Sequence, residues 1–168
     1  MIKIYSAFSF VLFLMLCACA KEQPKIWDNP LVNLEEVGDC KGFGMKSESD
    51  YPSDTDCLIF EYDGDSILTI SHINAGFNCC PERFMVDVEI RNDTIFVLES
   101  EGEGVCDCDC LYDMNYTIQP VPPGEYIITV DEPYVRQAEE AKLEGHISLT
   151  EENTGEICVS RGHYPWGT

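Results

Sequence analysis

Three cysteines alternate with two aspartates in Cys106-Asp107-Cys108-Asp109-Cys110, and an adjacent pair, Cys79-Cys80, lies upstream. Cysteines at this density have three chemical uses: they ligate a soft metal, exchange electrons, or cross-link the chain. On an extended strand, residues two apart share a face and sit about 6.6 Å apart. Cys106, Cys108 and Cys110 would then line one face, with Asp107 and Asp109 on the other. A zinc ion, with sulfur ligands at about 2.3 Å, could take neighbours from such a row. It could take Cys106 and Cys110 together only if the chain bent, since an extended chain holds them about 13 Å apart. Pro81 pushes Cys80 toward extended backbone, so the side chains of Cys79 and Cys80 are expected to face opposite ways. His72 with Cys79, Cys80, Cys106, Cys108 and Cys110 makes a mixed nitrogen and sulfur set suited to zinc or copper. The chain has no Cys-x-x-Cys, which weighs against a thiol oxidoreductase.

The elements that must position these residues read as strands from Asp56 onward. "CLIFEYDGDSILTISHI" holds two β-rich runs around Asp63-Gly64, a two-residue hairpin signal of the type I′ kind. In "RFMVDVEIRNDTIFVLESE", Val86, Val88 and Ile90 alternate with Asp87, Glu89 and Arg91, Asn92-Asp93 turns the chain, and Ile95 and Val97 return. Such alternation puts one face in a core and the other in water. "LYDMNYTIQ", "GEYIITVDE", "GHISLTE" and "EICVSRG" follow. Seven or eight short strands with turns between them predict an all-β, antiparallel sandwich. "PYVRQAEEAKLEG", residues 133 to 145, opens on proline and ends on glycine but is polar nearly all round, so a short exposed helix or loop is expected. "VPPGEYIITV" places Tyr126 at a strand start after Pro-Gly, where a buried ring and a backbone-bonded hydroxyl lock sandwich corners. That phrase resembles the repeat unit of transthyretin-like and Ig-like domains, which are mostly binding or spacer modules.

Within residues 1–18, Lys3 is followed by an apolar run from Ile4 to Leu16, and the segment leads into Leu16-Cys17-Ala18-Cys19. The run is too short to span a bilayer and suits a signal peptide. Leu16-Cys17-Ala18-Cys19 resembles a bacterial lipobox. The resemblance implies cleavage before Cys19, a lipid on its thiol, and attachment to the membrane. Residues 19–55 mix prolines, glycines, serines and acids without a helical or strand period and read as lipid anchor and irregular tether. Residues 56–168 read as the sandwich domain. Lys21-Glu22, just after the lipid cysteine, resembles the charged export signals of Bacteroidetes surface lipoproteins. The expected location is the bacterial cell envelope, at the outer membrane facing the periplasm or the cell surface.

Outside the cytoplasm, an even set of eight cysteines (Cys40, Cys57, Cys79, Cys80, Cys106, Cys108, Cys110 and Cys158) favours disulfides. The row cannot bridge itself without strain, so its partners are expected to include Cys79 or Cys80. The formal net charge of −21 excludes binding to a nucleic-acid backbone. No G-x-S-x-G, H-E-x-x-H or phosphate loop occurs, so no catalytic residue is assigned and a non-enzymatic module without cofactor is expected. Zinc or copper on the cysteine cluster is the alternative. A protein or glycan partner is not specified by any motif.

Three separated blocks carry a family resemblance: His72-x-Asn74-x-x-Phe77-Asn78-Cys79-Cys80, then Cys106-x-Cys108-x-Cys110 with Tyr112-Asp113, then Arg161-Gly162-His163-Tyr164-Pro165-Trp166-Gly167. Spanning roughly Cys57 to Gly167, they resemble a group of Bacteroidetes lipoproteins with no assigned activity, which implies a location and a β fold but no reaction. Arg161 to Gly167 is expected mainly to close the sandwich end with Tyr164 and Trp166. Asp65-Ser66-Ile67 and Asp93-Thr94-Ile95 resemble Bacteroidetes O-glycosylation sites, with Ser66 and Thr94 as the acceptors.

Overall fold

The computed structural model describes residues 30–41, 51–104 and 106–166. The proposed signal and Cys19 lie outside them. Among the described residues the order is β1 (Leu31–Val37), β2 (Thr55–Tyr62), β3 (Leu68–Asn78), β4 (Phe84–Arg91), β5 (Thr94–Glu101), β6 (Asp109–Gln119), β7 (Glu125–Asp131), α1 (Pro133–Ala138), β8 (Leu143–Ser148) and β9 (Asn153–Ser160). They form two sheets, β1-β6-β3-β2-β9 and β4-β5-β7-β8, the expected all-β sandwich. The inward rows meet in one core, with Tyr62, Leu68, Ile70, Phe77, Ile90, Ile95, Met114, Tyr116, Ile118 and Ile128 all fully buried.

Several local expectations change. Leu31–Val37, read as tether, is an edge strand antiparallel to β6. A register shift between Leu34 and Glu36 lets Val32, Leu34 and Val37 all pack on the core, which hides the period in the sequence. One pair is parallel: Thr94 to Leu98 of β5 run beside Ile127 to Asp131 of β7. Between them the chain crosses to the other sheet for β6 and returns, and two reversals restore the direction. The Asp63-Gly64 turn spans residues 63–67 rather than two residues. Gly64 takes φ +84°, and Asp63 Oδ1 accepts the N–H groups of Asp65, Ser66 and Ile67 at 2.9, 2.8 and 2.9 Å. These bonds, the one from Ile67 foremost, hold the Asp63 carboxyl below its usual range. Asn92-Asp93 does make the two-residue turn between β4 and β5, with Asn92 at φ 55°.

Helix α1 is only six residues long. Leu143, Glu144 and Gly145 belong to β8, where Gly145 pairs with Ile128. The helix is not simply exposed either, since Val135 is buried with Leu111 and Trp166 in a second small cluster. Tyr126 behaves as its setting predicted: the ring is buried and the hydroxyl donates to the Pro122 carbonyl at 2.8 Å.

Candidate functional site

Strand β6 begins only at Asp109, so the cysteine row is not one strand face. Cys106 and Cys108 lie in the connection that leads in, and Cys110 alone is in the strand. The row therefore splits among three partners: Cys106 with Cys80, Cys108 with Cys79, and Cys110 with Cys40. Cys79 and Cys80 serve separate bridges, as their opposed directions predicted. The fourth bridge, Cys57–Cys158, joins directly opposed residues of β2 and β9. All eight described cysteines are paired. Asn78, the last residue of β3, organises the two adjacent bridges. Its Oδ1 accepts the N–H groups of Cys80 at 3.1 Å and Cys106 at 3.3 Å, and its Nδ2 donates to the Cys106 carbonyl at 2.8 Å. The Cys79 N–H donates to the Cys108 carbonyl at 3.0 Å.

His72 does not join the cysteines. It is fully buried among ionisable groups, of which only Arg161 belongs to a motif block named above. Nε2 lies 2.8 Å from Asp56 Oδ1, and Nδ1 lies 2.9 and 2.8 Å from the two oxygens of Glu99. A neutral imidazole has a single N–H and would turn a lone pair toward one of these carboxylates, whereas imidazolium donates to both. Burial opposes that charge, but Glu99 and Asp56 outweigh it and hold the His72 pKa well above 6.5. Arg161 donates to Asp56 Oδ2 through Nε at 2.8 Å and also through Nη2, and reaches Glu132 Oε1 at 3.0 Å. The Tyr116 hydroxyl donates to Glu99 Oε1 at 3.0 Å. Burial and the Glu99 charge push its own pKa well above 10.0.

Three carboxylates against two cations would leave one negative charge in the core. Burial, and then the charge on Asp56, pushes the Glu132 carboxyl well above 4.5, which favours its protonated form and moves the cluster toward neutrality. Asp56 moves the other way. Burial raises it, but His72 and Arg161 more than offset this, and it lies below 3.8. Donor atoms of Asp56, His72 and Glu132 fall within 4.8 Å of one another, yet Arg161 already supplies a cation to the two carboxylates. Asp56, His72, Glu132 and Arg161 have side chains with 0% exposure, so their chemistry in this conformation is mutual neutralisation.

A local signal for the cluster existed. Each member occupies the next inward position of an alternating apolar row: Asp56 before Leu58 and Phe60, His72 after Leu68 and Ile70, Glu99 after Ile95 and Val97, Glu132 after Ile128 and Val130, Arg161 after Ile157 and Val159. The end that carries the cluster is closed by residues 161–166. Trp166 is fully buried, its Nε1–H donates to the Asn74 carbonyl at 2.8 Å, and the Arg161 guanidinium stacks over its ring at 5.2 Å. Tyr164 instead remains 44% exposed while its hydroxyl donates to the Asp109 carbonyl at 2.6 Å. Ser66 is half-buried in the 63–67 turn, and Thr94 is the half-buried first residue of β5. On the outer face of the four-stranded sheet, Phe96 and Leu98 are about two-fifths exposed. They edge a shallow depression completed by Thr129, Asp131, Lys142 and Glu144. No known protein family, curated protein or solved structure matches the chain.

Proposed function

We propose that the chain is an exported lipoprotein, anchored through lipid on Cys19 at the outer membrane, whose sandwich serves as a non-enzymatic binding or assembly module. The observation that carries this reading is the pairing of all eight described cysteines as disulfides, a state that persists in oxidising compartments and not in a glutathione-buffered cytoplasm. The Leu16-Cys17-Ala18-Cys19 signal adds the anchor. The closed charge cluster offers no open general base or nucleophile, and Phe96 with Leu98 supplies exposed apolar surface for a protein or glycan. The likeness to Bacteroidetes lipoproteins in three motif blocks fits the same location. The test is labelling of producing cells with a radioactive fatty acid. Wild type takes up label and Cys19→Ala does not; label on the variant sinks the anchor. Alkylation of the denatured, unreduced chain followed by mass analysis is expected to leave the eight framework cysteines unmodified.

The zinc or copper reading is favoured by one observation: the sulfurs of Cys79, Cys106 and Cys108 fall within 4.8 Å of one another. It requires the two bridges that hold them to be reduced.

A further inference from the structure

The sulfurs of the Cys79–Cys108 and Cys80–Cys106 bridges are gathered by more than the bridges themselves. The β3–β6 ladder runs to the pair Asn78 and Asp109, directly beside the cysteines. Asn78 clamps the backbone of Cys80 and Cys106 through three side-chain hydrogen bonds. The Tyr112 hydroxyl holds the Asn78 carbonyl at 3.1 Å, and the Cys79 N–H holds the Cys108 carbonyl. None of these bonds involves sulfur, so reduction breaks none of them directly.

Access is unequal among the four bridges. Cys108 is exposed and Cys79, Cys80 and Cys106 are half-buried. By contrast Cys110 is 3% and Cys57 0% exposed, while their partners Cys40 and Cys158 are half-buried and exposed. Thiol–disulfide exchange needs a reachable sulfur, and only in the two adjacent bridges is neither cysteine fully buried.

The geometry points to a reduction-gated site for a soft monovalent cation of the copper(I) type, with Cys79, Cys106 and Cys108 as its three thiolate ligands. The inference rests on the metal reading above and narrows it. Cys110 is excluded because it is held by Cys40, and His72 because both its nitrogens are engaged by Asp56 and Glu99. Cys80, though freed by the same reduction, does not belong to the group whose sulfurs lie within 4.8 Å. Three soft donors suit copper(I), whereas a structural zinc site asks for four. A dithiol reductant gives each bridge two electrons and two protons and is itself oxidised to a disulfide. The two bridges become four thiols. The metal then takes the sulfurs of three, whose protons pass to solvent, and Cys80 remains a thiol.

The test uses the full chain carrying Cys17→Ser and Cys19→Ser, so that only the framework cysteines remain. It is treated anaerobically with a mild dithiol, then offered copper(I) against a coloured competing chelator. Circular dichroism on the same samples follows the β structure. A single equivalent of copper is expected in the reduced chain and none in the oxidised chain. Iodoacetamide mapping is expected to show Cys79, Cys106 and Cys108 shielded by copper, with Cys80 still reactive. Cys106→Ser is expected to lose the equivalent, while Cys40→Ser with Cys110→Ser keeps it. Copper uptake that leaves the three thiols unshielded, or that the oxidised chain matches, overturns the triad but not the wider metal reading. No uptake by the reduced chain, folded or unfolded, overturns both.

Discussion

At the residue scale the molecule's unusual feature is a set of ionisable side chains gathered in the buried core. Arg161 pairs with Asp56 and also bonds Glu132 in the core, and removing one partner of a buried ion pair costs about 3–5 kcal/mol because the other charge is left uncompensated. Arg161→Met is therefore expected to lose stability of that order in urea unfolding, and a loss near zero would show that the pairs carry little. The same cluster sets a pH dependence. Glu132 and His72 both have folded pKa values raised above their ordinary 4.5 and 6.5. Their contributions are complete below those ordinary values and are lost as pH rises through the folded ones. Asp56, lowered from 3.8, contributes above that value and is lost as pH falls through its folded pKa. Stability should thus decline from pH 5 toward alkaline pH, with each titrating group adding a slope of about 1.4 kcal/mol per pH unit. Glu132→Gln keeps the neutral form and should flatten the part that begins near 4.5. A thermal-unfolding series identical to wild type across pH would contradict the raised Glu132 pKa.

At the element scale the C-terminal segment depends on a glycine in β3. A Cβ on Gly76 would fall 2.5 and 2.7 Å from Trp166 Cζ2 and Cη2, inside any tolerable contact. The strand slips register there, between His72 and Ala75, with Asn74 at φ 65°, and this bulge turns Ala75 and Phe77 inward after Leu68, Ile70 and His72. Gly76→Ala is expected to displace Trp166 and cost about 1–3 kcal/mol, seen as a change in tryptophan fluorescence together with the unfolding midpoint. Tyr126→Phe removes one bond at the Pro122 corner and should cost about 0.5–1.5 kcal/mol. Unchanged unfolding in that variant would make the lock incidental.

At the scale of the whole molecule, four bridges tie distant segments, with sequence separations of 70, 101, 29 and 26 residues. On the chain-entropy model each contributes about 3–5 kcal/mol, with overlap where loops nest. Full reduction is expected to lower the melting temperature by many degrees, whereas a chelator added to the oxidised protein leaves it in place. Unfolding by chelator alone, with no effect of reductant, would reverse the assignment of the cysteines from bridges to ligands.

What the sequence by itself determined is whatever has a short period or a local cue. Alternation in residues 84–91 and 94–97 specified which side chains face inward, Asn92-Asp93 specified a turn, and the setting of Tyr126 specified a corner. Oxidised cysteines followed from their even number and from the signal expected in residues 1–18. Even the charge cluster left a trace, since five ionisable residues interrupt inward rows, but a row records only phase. That all five rows end at the same place depends on how two sheets stack. The partners of Cys106, Cys108 and Cys110, the parallel β5–β7 pair and the recruitment of Leu31–Val37 depend likewise on pairings between residues far apart in the chain. Those are choices of register and sheet order, made by the total burial of the folded molecule, and no single segment encodes them.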